Sequence, residues 1–343
     1  MKTSHSQIVM IAACCLLALC LAFISCGGED AGNKTPAYSF TFIYGNVQSK
    51  EHPRSLSMIF FRDLLEKSSG GRIKVELHFG GQLGKEEEVL DMVKHGIIQG
   101  CRGGLFERAN KKYILYTLPF MFRNTDQVLM LMESDFGREI NRDALENGYY
   151  IPACGVAGGF RNITTNSRPV KKPDDLRGLK IRMPPLEMST KTFSILGALP
   201  QQITYTDTYL ALKGGVVDGQ ENPFSNIVDM KFYEVQRYLS LVNWQIHPDP
   251  FYVNPEWHGS LPADLKKIFD EAAQNTVAYS NKIWLESEYK YLELLRQKLS
   301  VSELTTEETA TFARAVKSVW QYYINLEYFT NADLAEAQRI IGD

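Results

Sequence analysis

"YSFTFIYGNVQSKEHPRSLSMIFFRDLLEKSSGGRIKVELHF", residues 38–79, contains a complete structural unit. Tyr38 to Tyr44 alternates with period two and ends at Gly45, the pattern of a half-buried strand. Pro53 then opens a helical run that predicts Leu56, Ile59, Phe60 and Leu64 on the buried face, stopped by Gly70 and Gly71. "RIKVELHF" alternates again, with Ile73, Val75, Leu77 and Phe79 inward and Arg72, Lys74, Glu76 and His78 outward. Strand, helix, strand in that order predicts a parallel or mixed sheet with helices on both faces.

The same order continues outward from this unit. "GGQLG" is a loop, and Lys85 to His95 reads as a helix with Glu86, Glu87 and Glu88 in its first turn. Those carboxylates complement the helix dipole on a solvated face and are given no chemistry. Strand-like stretches recur near Tyr150–Val156, Phe160–Thr165, Leu179–Met183 and Leu199–Ile203. Helical ones lie at Gln127–Glu146, Pro185–Leu196 and Thr206–Lys213, and almost everything beyond Pro262 is helical. Two α/β units followed by long helices predict two lobes, a helix laid across both, and a ligand cleft between them.

The first residues speak to destination. An apolar run from Ile8 to Ile24 follows Lys2 and leads into Ser25-Cys26-Gly27-Gly28, the layout of a secretory signal. Its end looks like a bacterial lipobox, although Phe23 stands where such boxes usually carry Leu. Residues 1–25 are therefore expected to be a signal peptide, Cys26 a lipidated first residue, and 26–36 a flexible tether. The competing reading is an uncleaved membrane anchor, for which 17 apolar residues are short.

Cleavage would remove one of the 37 Lys and Arg, leaving 36 against 40 acidic groups and a formal charge of −4. No basic block appears, which argues against a nucleic-acid partner. Of six cysteines only Cys101 and Cys154 fall in the folded body, and two small buried thiols are favoured over a disulfide. Neither C-x-x-C, G-x-S-x-G nor H-E-x-x-H occurs, so no metal, no cofactor and no catalysis are expected.

Binding chemistry concentrates in three places. "GFRNITTNSRP" carries Arg161, and "DLRGLKIRMPP" carries Arg182 at the end of a short strand against Pro184 and Pro185. A guanidinium so restrained can be aimed, and it pairs bidentately with a carboxylate, although a lone Arg is more often a surface ion pair. "GVVDGQENP" (215–223) brings Val216 and Val217, read as buried, directly into Asp218, Gln220, Glu221 and Asn222. That pattern suggests a short strand delivering polar groups to one spot.

"HFGGQLGKEEEVLDMVKHG", "DLRGLKIRMPPLEMSTKTFSILGALP" and "ALKGGVVDGQENP" together resemble the solute receptors of tripartite ATP-independent periplasmic (TRAP) transporters, the DctP-like family. "SLPADLKKIFDEAA" near the C-terminus fits as well, so the resemblance runs from about Tyr38 to Tyr323. It implies a two-lobed periplasmic binding protein with hinge-linked mixed sheets. Lobe I would take 37–158 and 248–287, and lobe II 159–247 and 288–343. It implies capture of a small organic acid and delivery to membrane permease subunits driven by an ion gradient, with a periplasmic address and a monomeric chain. A receptor presenting its ligand to a signalling partner is the alternative.

Residue by residue, the resemblance makes Arg182 the carboxylate anchor, adds Asn222 as a donor, and brings in Arg161. Gln220 and Glu221 are candidates that equally hold neighbouring backbone. For selectivity, Trp244, Phe251 and Tyr252 are candidate pocket walls, with ordinary core as the competing reading. His247 and Asp249 could meet a hydroxyl, and Asn46, Gln48 and His52 are first-lobe candidates. Arg102, in "GCRGGLF", replaces a small apolar residue, and if it faced the cleft a dicarboxylate ligand would gain weight.

Overall fold

The computed structural model describes residues 39–342, so the expected signal, tether and Cys26 lie outside the described residues. β1 (Phe40–Gly45) and β2 (Ile73–His78) run parallel with Phe40 opposite Ile73, joined by the helix Pro53–Ser68. The alternation holds: Phe42, Tyr44, Ile73 and Val75 are buried, and Leu77 and Phe79 pack against the same cluster. The helix is rotated from the expected face, because Met58, Phe61 and Leu65 are buried while Leu56 is 42% exposed. Its first turn points Arg54, Ser55 and Ser57 inward, which places the buried stripe there, and Phe60 instead stacks on Tyr279, 4.4 Å between ring centres.

β3 (Gly100–Arg102) extends this sheet parallel to β1, and β4 (Cys154–Val156) closes its far edge. Between them β10 (Pro248–Val253) returns antiparallel to both, giving the order β2-β1-β3-β10-β4. Cys101 and Cys154 stand on the two strands flanking β10, and both are free thiols; Cys154 is only half-buried. Gly100 sits where a Cβ would press on the carbonyl of Tyr252 at 2.9 Å.

The second sheet is built from β5 (Asn162–Thr165), β6 (Lys180–Met183), β7 (Leu199–Gln202), β8 (Gly219–Asn222), β9 (Tyr238–Leu241) and β11 (Ser300–Glu303). Its order is β11-β9-β5-β8-β6-β7, with β6 parallel to β7 and β8 and β5 antiparallel to β8 and β9. The polar quartet of "GQEN" is β8, as the sequence suggests, and Val217 is buried. Val216 is not: it is 57% exposed, at the end of a turn rather than inside a strand. At Gly219 a Cβ would overlap the Thr164 carbonyl oxygen, so β5 and β8 approach this closely only over glycine.

These two mixed sheets with flanking helices form an α/β, two-lobed fold. The 36-residue helix Ala263–Lys298, about 54 Å long at 1.5 Å per residue, spans both lobes. It packs on the helix Pro53–Ser68 beside the first sheet and on the helix Phe224–Asp229 and β11 beside the second. The helical run expected over Gln127–Glu146 divides into Thr125–Glu133 and Asp135–Asp143. Ser134 breaks it by leaving the helix and accepting a hydrogen bond from the Gly137 N–H at 3.0 Å.

Candidate functional site

Between the sheets lies a cavity of about 320 Å³. Its lining draws Val47, Gln48 and Arg54 from the first lobe and Arg161, Arg182, Tyr205 and Asn222 from the second. Pockets of this size suit small metabolites.

Arg182 stands on β6, opposite Gln201 on one side and Gln220 on the other, and is 2% exposed. Its Nε donates to the Ile203 carbonyl at 2.8 Å, which fixes the plane of the guanidinium. Among the described residues no carboxylate lies within ion-pair distance of it, and the residue lines the cavity. Burial pulls its pKa down to about 10, with Glu221 raising it and Arg161 lowering it further, and the group stays charged at neutral pH.

Arg161, just before β5, is satisfied by the protein itself. Its Nε and Nη2 donate to the two Glu221 carboxylate oxygens at 2.5 and 2.9 Å, and Nη2 also reaches the Glu221 carbonyl at 2.9 Å and Asn222 Oδ1 at 3.1 Å. The indole Nε1 of Trp244 donates to the same Glu221 carboxylate at 3.1 Å. Asn222 continues the chain: its Nδ2 donates to Gln220 Oε1 at 2.6 Å, and its Oδ1 accepts from Asn226 at 2.9 Å. Gln220 in turn donates to Thr164 Oγ1 at 2.9 Å. The polar patch of β8 is thus a connected network with one face on the cavity.

His247 is a neutral relay. Gln245 spends its amide N–H on the Thr117 carbonyl, so its Oε1 must accept, and His247 Nε2 donates to it at 2.8 Å. The Nδ1 lone pair then faces Arg161 Nη1 at 3.5 Å. Burial, then the Arg161, Arg54 and Arg182 charges, push the His247 pKa well below its ordinary value.

Of the ligand candidates read from the sequence, Arg161, Arg182, Asn222, Gln48 and His247 line the cavity. Gln220 and Glu221 lie behind them as supports, and Trp244 packs edge-on to Phe193 while holding Glu221. Phe251 is first-lobe core, stacked on Tyr44 with ring centres 4.9 Å apart, and Tyr252 is buried against Tyr149. Asn46 fixes its own turn by accepting from the Gln48 N–H at 2.8 Å.

His52 bridges the lobes instead of the ligand: Nδ1 accepts from the Arg54 N–H at 3.2 Å and Nε2 donates to Asn226 Oδ1 at 3.1 Å. Ser49 adds a second bridge to Asp229, and Lys85 a third to Asp207 at 3.4 Å. Arg102 does not line the cavity. It is fully buried against Asp249, which also takes Arg54 Nε at 3.2 Å, so the dicarboxylate argument attached to Arg102 lapses. Arg54, Glu86, Tyr205 and Asn226 are among the lining residues missed; the dipole reading of three glutamates in one first turn concealed Glu86, and no local pattern marks the other three.

His52 supplies a pH test. Burial lowers its pKa to about 4 from an ordinary 6.5, so the stability it contributes is present above pH 6.5 and lost as pH falls toward 4. The fall of melting temperature between pH 6.5 and 4 should therefore be shallower in His52→Gln than in the parent. An identical slope in the two proteins would remove His52 from the account.

A buried arginine with no carboxylate partner among the described residues, on the wall of a cleft between two α/β lobes, is the layout of a solute-binding protein. Comparison with known proteins agrees: the profile of bacterial extracellular solute-binding protein, family 7, matches residues 44–326, and the chain belongs to that family. This is a family of transport receptors and not an enzyme class. The chain is 29% identical to the C4-dicarboxylate-binding periplasmic protein DctP of Vibrio cholerae over 300 residues, 85% of this chain and 87% of that one. A TRAP periplasmic solute-binding protein of Shewanella oneidensis with bound succinate superposes with TM-score 0.84 at 25% identity, over 90% of this chain and all of that one. Another, from Bordetella bronchispeptica with density assigned to pantoate, gives 0.82 at 26%, over 87% and 98%.

Proposed function

We propose that this protein captures a small organic acid between its lobes, with Arg182 as carboxylate anchor, and delivers it to the membrane subunits of a TRAP-type transporter. The observation that carries the reading is the 2%-exposed Arg182, paired with no carboxylate among the described residues and lining the cavity with Asn222. A desolvated carboxylate needs charge compensation and several donors, which Arg182, Asn222 and the edge of Arg161 supply. The relatives' ligands, succinate in one and pantoate in the other, are both carboxylates, which supports the class without choosing within it. Native mass spectrometry of residues 27–343 as purified tests it: a co-purified carboxylic acid is the expected result, and a protein that binds only uncharged solutes would refute it.

The chain passes from the first sheet to the second between β4 and β5 and returns between β9 and β10, which supports lobe boundaries near 158/159 and 247/248. Ligand bridging the lobes would hold them closed, and the permease would read that closed form. Among the described residues no helix is long and apolar enough to cross a membrane. We further propose attachment through lipid on Cys26. Cys26→Ala, expressed with its leader, is expected to move from the membrane fraction to the soluble one; retention in the membrane would rule lipidation out.

A further inference from the structure

We infer that Glu86 fixes the charge of the ligand at minus one, so that the cavity takes a hydroxylated monocarboxylate in preference to a dicarboxylate. This rests on the carboxylate reading above. The buried charges around the cavity can be counted. Arg161 and Glu221 cancel. Asp249 is shared between Arg54 and Arg102, so that trio carries one net positive charge. Arg182 adds a second. Among the described residues lining the cavity, Glu86 is the carboxylate that neither a cation nor its own helix end claims. Glu87 and Asp91 pair with Arg108 at the surface, and Glu88 folds back onto the Lys85 N–H at 2.7 Å. Asp229, bound by Ser49 and Tyr205 at the lobe contact, is half-buried and outside the lining.

Among the described residues Glu86 has one hydrogen-bond partner, the Gly104 N–H, which donates to Oε1 at 2.5 Å. A Cβ on Gly103 would stand 2.7 Å from that oxygen, so the Gly103-Gly104 pair lets the backbone close on the carboxylate. Oε2 receives no donor from the described residues. Glu86 is half-buried on the cavity wall; ionised, it reduces the excess facing the ligand from two positive charges to one, and a desolvated site favours the ligand charge that completes neutrality. A dicarboxylate would set a second anion into a site already neutralised by the first, unless Glu86 took up a proton. A ligand hydroxyl meets both conditions: it adds no charge, and its O–H satisfies the open oxygen. Burial and the Asp249 charge raise the Glu86 pKa, and Arg54, the Gly104 N–H and Arg182 draw it back only in part.

Two chain-length pairs isolate the charge: D-erythronate with succinate, and D-gluconate with adipate. Titration calorimetry on the full folded chain at pH 7.5 should show the hydroxy acid at least tenfold tighter in one pair or both. Glu86→Gln keeps the acceptor for Gly104 and removes the charge, and is expected to shift that ratio at least tenfold toward the dicarboxylate. Glu86→Asp keeps the charge and should keep the preference, and Glu146→Gln, on an exposed turn outside the lining, should change nothing. A parent protein that prefers the dicarboxylates, or a ratio within threefold of the parent in Glu86→Gln, overturns the inference while leaving the carboxylate reading intact. Failure of every acid to bind the parent overturns both.

Discussion

Arg182→Ala should abolish carboxylate binding and leave a protein that melts at or above the temperature of the unliganded parent. The two halves of this result come from one feature. In the free protein the guanidinium is buried without a carboxylate, and burial lowers its pKa to about 10 from 12.5, so the charged form is disfavoured by folding. Removing it relieves the folded state. In the complex the same charge is the partner of the ligand carboxylate, and deleting one member of a buried pair costs about 3–5 kcal/mol. That is a few hundredfold or more in affinity. Arg182→Lys should lie between the two, because an ammonium restores charge without the bidentate fork. The checks are calorimetry for affinity and thermal unfolding with and without acid. Affinity within tenfold of the parent would transfer the anchor elsewhere, with Arg54 the next guanidinium on the wall.

The parts of this molecule legible in its sequence are those set by local periodicity and by single constrained residues. Alternation placed β1 and β2, and Pro184-Pro185 ended the strand that aims Arg182. The dense polar run of "GQEN" proved to be one strand, and the resemblance put Arg161, Arg182 and Asn222 on one cavity. What stayed hidden needed a partner distant in sequence. Trp244 and Glu221 are 23 residues apart and come together only when β8 is seated, so nothing local separates a pocket wall from a hydrogen-bond donor to the core. Arg102 departs from the expected small residue, but its meaning depends on Asp249, 147 residues on. Glu86 illustrates the opposite failure. The dipole explanation for three glutamates in a first turn is sound for Glu87 and Glu88, which are exposed, and it concealed Glu86, which is half-buried on the cavity wall.

The largest effect on stability should come from Glu221→Ala. Glu221 is fully buried, accepts twice from Arg161 through its carboxylate, and takes the Trp244 indole N–H besides. Its loss leaves a 5%-exposed guanidinium without its counter-charge and an indole N–H without an acceptor. An uncompensated buried charge of this kind costs about 3–5 kcal/mol. For a chain of this size that is a fall in melting temperature on the order of 5–15 °C. The cause can be separated from mere loss of volume. Removing the cation as well, in Arg161→Met with Glu221→Leu, eliminates the stranded charge, and a buried pair replaced by apolar groups of similar size is often nearly neutral. The double variant should therefore recover most of the melting temperature lost by Glu221→Ala, while binding no better than the single variant because Arg161 is gone from the cavity wall. If it melts as low as Glu221→Ala, packing rather than charge governs this part of the second lobe. The pair would then be a filler of space, and the ligand site would owe it nothing beyond position.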